Sequence, residues 1–363
     1  MNKAGIYLHI PFCKTKCVYC DFYSVTKRED SIEEFINCLI KEIELNKNNL
    51  TNYSFDSIFF GGGTPSVLTA KQIERILNQL NKFYRLAENI EITLECNPGE
   101  INYQKLKDFR TLGINRLSIG FQSFNDKLLK FLGRLHNAKQ SISTYHDAQR
   151  AGFNNINVDL IYDIPKQTLK DWVNDLFLAT NLEPSHISAY SLTVEKNTAL
   201  YSMIKNKMVF MPSEKIDKKM FLKTIEYLEN KNYNHYEISN FSKYKKECRH
   251  NLHYWKLNPY LAFGPGAHGF DGIKRWWNKK SIDYYMDSLK KNILPIQSEE
   301  ILTNKDSFNE NIMNGLRLIE GLDINKIESL LSQDFNTYIK PFKEKWPYLN
   351  RDNQKLKLNK EGL

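Results

Sequence analysis

The sequence predicts an α/β protein with a parallel sheet, and three observations carry that prediction. Short apolar runs alternate with amphipathic segments about six times over residues 1–190. Strands that alternate with helices pair in parallel and place the helices outside. The chain has 363 residues, 41% hydrophobic and 26% charged, which is enough for a large core. The chemically distinctive residues follow the strands, where parallel sheets collect function. Periodicity leaves open whether the sheet is doubly wound or curled into a complete or partial barrel.

Residues 5–9 (GIYLH) read as the first strand, followed by a cysteine loop. Residues 31–47 have helical spacing, with Ser31 as N-cap and Glu34 completing a capping box. Residues 57–60 (SIFF) form a buried strand that ends in Gly61-Gly62-Gly63, and Thr69 caps a helix to about residue 80. Strands follow at 90–95, 116–119, 156–161 and 186–190, with helices at 102–112, 126–132, 138–151 and 169–180. Residues 201–298 are less regular, with a helix at 215–231 and a histidine- and aromatic-rich stretch. Residues 299–363 form a separate tail with helical spacing at 308–318 and 324–331.

No apolar run reaches the roughly 18 residues of a membrane span, and residues 1–9 lack the layout of a signal peptide. A cytoplasmic location is expected. The net charge of +9 comes from lysines scattered along the whole chain rather than a basic stripe, so nucleic acid is not an expected partner.

Three of six cysteines fall within eight residues, as Cys13-x3-Cys17-x2-Cys20. Three thiolates on a tight loop leave one iron of a [4Fe–4S] cluster without a protein ligand. That iron is free to chelate the amino and carboxylate groups of S-adenosylmethionine, and the cofactor pair then carries the chemistry. A zinc site normally takes four ligands, often as paired C-x2-C units, and no second pair exists. Cys38, Cys96 and Cys248 read as packed thiols. The glycines of Gly61-Gly62-Gly63-Thr64-Pro65 permit close backbone approach to a ligand. Glu95, Gln122, Arg134 and Asp159 stand at strand ends or just after them. Carboxylates suit ribose hydroxyls, and an arginine suits a carboxylate. His250, in Arg249-His250-Asn251-Leu252-His253-Tyr254-Trp255, has the donor chemistry of a heme ligand. Physics alone favours a surface loop with a buried aromatic anchor there, because a lone histidine is usually not a ligand.

Together these motifs resemble the oxygen-independent coproporphyrinogen III oxidase-like family of the radical-SAM superfamily. The carrying segments are HIPFCKTKCVYCDFYS (9–24), FFGGGTPS (59–66), ECNPGE (95–100), RLSIGFQSF (116–124), LGRLHN (132–137), VDLIYDIPKQT (158–168) and HNLHYW (250–255), with NIMNGLRLIEGLDI (311–324) in the tail. The resemblance implies a partial (β/α)6 barrel over residues 1–200, an α/β extension over 201–298 and a small, mainly helical domain over 299–363. It implies that Tyr7, Tyr19, Gly62, Gly63, Thr64, Glu95, Gln122, Arg134 and Asp159 contact S-adenosylmethionine. The decarboxylating dehydrogenases of this family carry a further cysteine two residues past the third, where this chain has Phe22. The HNxxYW pattern belongs to the family's heme-carrier branch, so the resemblance implies heme binding, with His250 as ligand, and delivery to hemoproteins such as respiratory enzymes. Radical decarboxylation of a porphyrinogen is the competing reading. An electron donor would be required if S-adenosylmethionine is cleaved; homodimerisation and membrane association through partners stay open. Asp163, where the family usually has glycine, and Pro265 depart from the pattern.

Overall fold

The computed structural model describes residues 2–331 and 334–363. Strands β1 (Lys3–Ile10), β2 (Ser54–Gly62), β3 (Leu86–Cys96), β4 (Arg116–Gln122), β5 (Ile156–Tyr162) and β6 (His186–Ser191) pair in parallel, each with the next. Helices α1 (Ile32–Leu45), α2 (Ala70–Phe83), α3 (Tyr103–Thr111), α4 (Asp126–Leu132), α5 (Ala138–Arg150) and α6 (Leu169–Asn181) connect them.

The two faces of these strands differ, as a period of two allows. Ile6 and Leu8, Ile58 and Phe60, Leu117 and Ile119, Val158 and Leu160 are fully buried under the helices. The alternate positions, among them Tyr7, Glu95, Ser118 and Asp159, face inward and are largely polar. A sheet apolar outside and polar inside must curl around a ligand cavity rather than a dry core.

Helix α2 shows how local sequence sets the frame. Thr69 and Gln72 form a capping box, and Ile73, Ile76 and Leu80 make the buried stripe. The box expected at Ser31 does not form. The Ser31 hydroxyl instead accepts from Arg28 Nε at 3.0 Å, and Arg28 reaches on to Asp283. Ser31 ends a short 3-10 turn with helical backbone (φ −86°, ψ −7°), which turns its hydroxyl away from the helix-end amides.

The region after residue 200 completes the sheet instead of standing beside it. Helices α7 (Ala199–Lys205) and α8 (Glu214–Glu229) lead to β7 (Asn234–Glu237) and β8 (Asn240–Ser242), and β8 runs antiparallel to β6. After α9 (Arg249–Trp255), β9 (Tyr260–Phe263) pairs in parallel with β1 on the opposite edge. Strands β10 (His268–Phe270) and β11 (Lys274–Asn278), helix α10 (Ile282–Lys290) and β12 (Ile296–Ile301) follow. Among the described residues the order is linear, β12-β11-β10-β9-β1-β2-β3-β4-β5-β6-β8-β7, so the sheet is open. Strand β12 runs across the division expected at 298/299.

The tail holds α11 (Asn304–Gly315), α12 (Ile324–Glu328) and α13 (Phe335–Lys345), and also a small sheet of β13 (Leu322–Asp323), β15 (Lys355–Leu358) and β14 (Leu349–Asp352) in that spatial order. It is mainly helical, as expected, with a small sheet added. Its own core gathers Phe308, Leu322, Ile324, Ile327, Phe335 and Leu356. Among the described residues no helix is long and apolar enough to cross a membrane.

Candidate cofactor cavity

At the carboxyl ends of β1–β6 the inward face opens into a cavity of about 680 Å³. The cysteine loop forms its upper rim. Cys13 N–H donates to Val25 O at 2.9 Å and Val25 N–H to Pro11 O at 2.8 Å, which pins the two ends of the loop together. Val18 N–H donates to Leu132 O at 3.3 Å and ties the loop's middle to the end of α4. Cys13, Cys17 and Cys20 all line the cavity, with Tyr19 between the last two. Thr64 Oγ1 donates to Cys13 Sγ at 3.6 Å and Arg134 Nη1 to Cys17 Sγ at 3.5 Å. Burial pushes the Cys13 thiol up and the Cys20 thiol up to about 11. Ligation to iron is what would draw these thiols into the thiolate form. Among the described residues no three His, Cys, Asp or Glu side chains converge on a single metal ion. A cluster would take each thiolate at a different iron.

Below the rim, the glycine turn and three strands supply the walls. Gly62 has φ +109°, and a Cβ there would lie 2.6 Å from the His9 ring. That conformation aims the Gly62 N–H at Glu95 Oε2, 3.2 Å away. Gly63 and Thr64 N–H groups donate to Ile10 O and Phe12 O at 2.8 Å, fixing the turn against the first strand. Tyr7 donates to His9 Nδ1 at 3.1 Å, and His9 Nε2 donates to Tyr23 O at 2.8 Å. Burial lowers His9 to a pKa of about 4, so the ring is neutral and one bond runs each way.

Strand β4 slips register between Gly120 and Gln122, and Gln122 takes φ +67°. A Cβ on Gly120 would lie 2.8 Å from Gln122 Nε2 and 3.1 Å from Arg134 Nη2, so the glycine makes room for both side chains. Arg134 Nη2 donates to Asn97 Oδ1 at 2.5 Å and to Gly120 O at 2.9 Å. Asp159 accepts from Ser118 Oγ and Asn157 Nδ2, each at 2.8 Å. Burial, then the Asp159 charge, pushes Glu95 up to about 8; burial also raises Asp159. The cavity therefore offers two carboxyl groups for hydroxyls and a guanidinium beside the cysteine rim.

The structure brings together twelve of the thirteen residues singled out from sequence: the three cysteines and Tyr7, Tyr19, Gly62, Gly63, Thr64, Glu95, Gln122, Arg134 and Asp159 line this one cavity. His250 does not join them. It is buried, with Nδ1 3.0 Å from Ser57 Oγ and Nε2 2.8 Å from Tyr254 OH. Rings of Phe59 and Tyr7 stack on it at 5.3 and 6.1 Å. As placed, it offers no open nitrogen. Tyr254 and Asn251 of the same helix do line the cavity. Asn97 and Arg116 line the cavity as well, each inside a quoted segment but outside the set singled out from sequence. Period-two alternation from Glu91 through Thr93 to Glu95, and from Arg116 to Ser118, is the signal that finds the inward face. Asp163 takes φ +61°, the left-handed region that glycine usually fills and aspartate tolerates.

Residues 7–179 match the Radical SAM superfamily, and residues 302–363 match the HemN C-terminal domain. A relative from Bacillus subtilis (strain 168), Heme chaperone HemW, is 33% identical over 317 residues, spanning 87% of this chain and 84% of the relative. A Haemophilus influenzae protein of the same name is 39% identical over 270 residues, 73% and 70% of the two chains. Among solved structures, coproporphyrinogen III oxidase (HemN) from Escherichia coli, a radical SAM enzyme, superposes with a TM-score of 0.85. The match covers 99% of this chain and 87% of that one at 22% identity, and it shows the shared fold. The cysteine rim and polar-lined partial barrel are thus those of a radical-SAM protein, a class that implies a [4Fe–4S] cluster and S-adenosylmethionine. Within that class the chain belongs to the family of the HemW proteins.

Proposed function

We propose that the protein is a heme chaperone: it binds heme, passes it to recipient hemoproteins, and carries a [4Fe–4S] cluster with S-adenosylmethionine in the barrel cavity. The observation that carries the reading is the kinship with the HemW chaperones over most of both chains. Phe22 supports it. This residue stands on the cavity rim, 64% exposed, where the decarboxylating enzymes of the resemblance have a further cysteine.

In this reading Cys13, Cys17 and Cys20 hold the cluster, which supplies an open iron and an electron. Arg134 holds the carboxylate of S-adenosylmethionine, the backbone of Gly62 and Gly63 takes its amino group, and Glu95 and Asp159 take ribose hydroxyls. His250 enters as heme ligand through Nε2, which requires Tyr254 to release that nitrogen. Tyr254→Phe then keeps or strengthens heme binding, because it frees Nε2, and His250→Ala abolishes it. Equal binding by all three proteins removes His250 from the proposal.

The test is anaerobic reconstitution with iron and sulfide, followed by absorbance titrations of S-adenosylmethionine and heme and by transfer of bound heme to an apo-hemoprotein. Incubation with coproporphyrinogen III, reductant and S-adenosylmethionine is expected to leave the porphyrinogen intact. Appearance of protoporphyrinogen IX would overturn the chaperone reading.

A further inference from the structure

The cavity is deeper than the layer of residues assigned to S-adenosylmethionine. Arg116 opens β4, four residues before Gly120. Glu95 pairs with Ser118, two residues from Arg116, so at about 3.3 Å per residue the Arg116 end of the strand lies roughly 7 Å below Glu95 and roughly 13 Å below Gly120. Arg116 lines the cavity and is 2% exposed. Its Nε is enclosed and has no hydrogen-bond partner among the described residues. Thr93, paired with Arg116 across β3 and β4, has an enclosed Oγ1 that is equally unpartnered. A buried guanidinium N–H without a partner is costly unless something else supplies an acceptor.

The nearby acids are already committed. Asp159 is held by Ser118 and Asn157. Glu91 accepts from the Arg249 N–H at the start of α9, at 3.0 Å, and from Cys248 Sγ at 3.8 Å. Glu95 accepts from Gly62 N–H. Glu91, Cys248, Tyr236 and Asp159 act on Arg116 by charge, yet among the described residues none forms an ion pair with it within 4 Å. Asn251 and Tyr254 close the cavity from the side of α9 and add polar atoms facing the same space.

We infer that the cavity floor is a carboxylate subsite, built on Arg116 with Asn251, that takes a second small ligand beneath bound S-adenosylmethionine. A carboxylate fits the requirement: it supplies two acceptor oxygens to a guanidinium in a fork, and a cation would meet the positive charge. The subsite stands independently of the heme reading, because it rests only on β3, β4 and α9.

The probe is propionate, observed by saturation-transfer NMR on the full-length, cluster-loaded protein, with propionamide and propylamine as neutral and cationic controls. Propionate is expected to bind at least tenfold more tightly than either control, and to keep binding when S-adenosylmethionine is saturating. Arg116→Gln is expected to weaken it tenfold or more. Should that variant fail to fold, Asn251→Asp decides: it places a carboxylate on the same floor and is expected to exclude propionate. Displacement of propionate by S-adenosylmethionine, equal binding of propionamide, propionate binding undiminished in Asn251→Asp, or no propionate binding at all would each overturn the subsite.

Discussion

Gly62→Ala is the substitution whose cost is most directly read from the structure. The new Cβ meets the His9 ring at 2.6 Å from both Cε1 and Nδ1, and the backbone there has φ +109°. Holding a side chain at such a φ costs about 1–2 kcal/mol. The ring has nowhere free to retreat, since Tyr7 holds it at 3.1 Å and Tyr23 O at 2.8 Å. Breaking either bond adds about 1 kcal/mol, so the total is about 2–3 kcal/mol. The displacement also moves Tyr7 and the end of the cysteine loop. Thermal unfolding followed by circular dichroism is expected to shift down, and S-adenosylmethionine titration of the cluster-loaded variant to show affinity weakened more than tenfold. An alanine variant with unchanged unfolding and unchanged affinity would refute the reasoning, because it would mean that His9 does not brace the turn.

Other consequences follow from single contacts. Arg134→Lys loses the fork that reaches Asn97, Gly120 O and Cys17 Sγ together, and S-adenosylmethionine affinity is expected to fall by about 10–100-fold in direct titration. Asp56→Asn weakens the buried hydrogen bond that His253 Nε2 donates to Asp56 Oδ1 at 2.7 Å and is expected to cost about 1.5–3 kcal/mol in urea unfolding. In a double-mutant cycle with His253→Ala the two losses should not add. Glu95 has its pKa raised by folding to about 8, so the folded state binds the extra proton. The stability that Glu95 contributes to the cofactor-free protein is therefore full below the ordinary carboxylate range and is lost as pH rises toward about 8. Melting temperatures measured from pH 5 to 9 should decline less steeply in Glu95→Gln.

Much of this architecture is written in local pattern. The alternation of apolar runs with capped helices locates β1–β6, and the motifs after each strand fall in one cavity because parallel strands all deliver their carboxyl ends to the same side. The less legible parts depend on distant partners. Ser31 looks like a helix cap, but it ends a short 3-10 turn and bonds Arg28, which Asp283 holds. Strands β7–β12 are mostly three to six residues long and pair across the chain's length, so local sequence says little about their edge. The tail's sheet is shorter still, with only two residues in β13. His250 shows the same limit: its motif is plain in the sequence, but the depth of its burial depends on β1 and β2, more than 180 residues away. Arg116 was hidden for the opposite reason, since a polar residue opening an apolar strand reads as a surface end until the sheet curls around it.

Helix α9 has a back as well as a front. Its inner side gives Asn251 and Tyr254 to the cavity. On its outer side Arg317 lies over the Trp255 ring at 4.4 Å, Lys256 pairs with Glu320 at 2.9 Å, and Lys326 Nζ donates to Lys256 O at 2.6 Å. All three of those outer partners come from the tail, so seven residues form the partition between two compartments of the molecule. A chain cut after β12 would keep every cysteine and every wall strand and still lose the buttress behind its cavity floor. The tail, far from the cysteine loop in sequence, is in that sense part of the container.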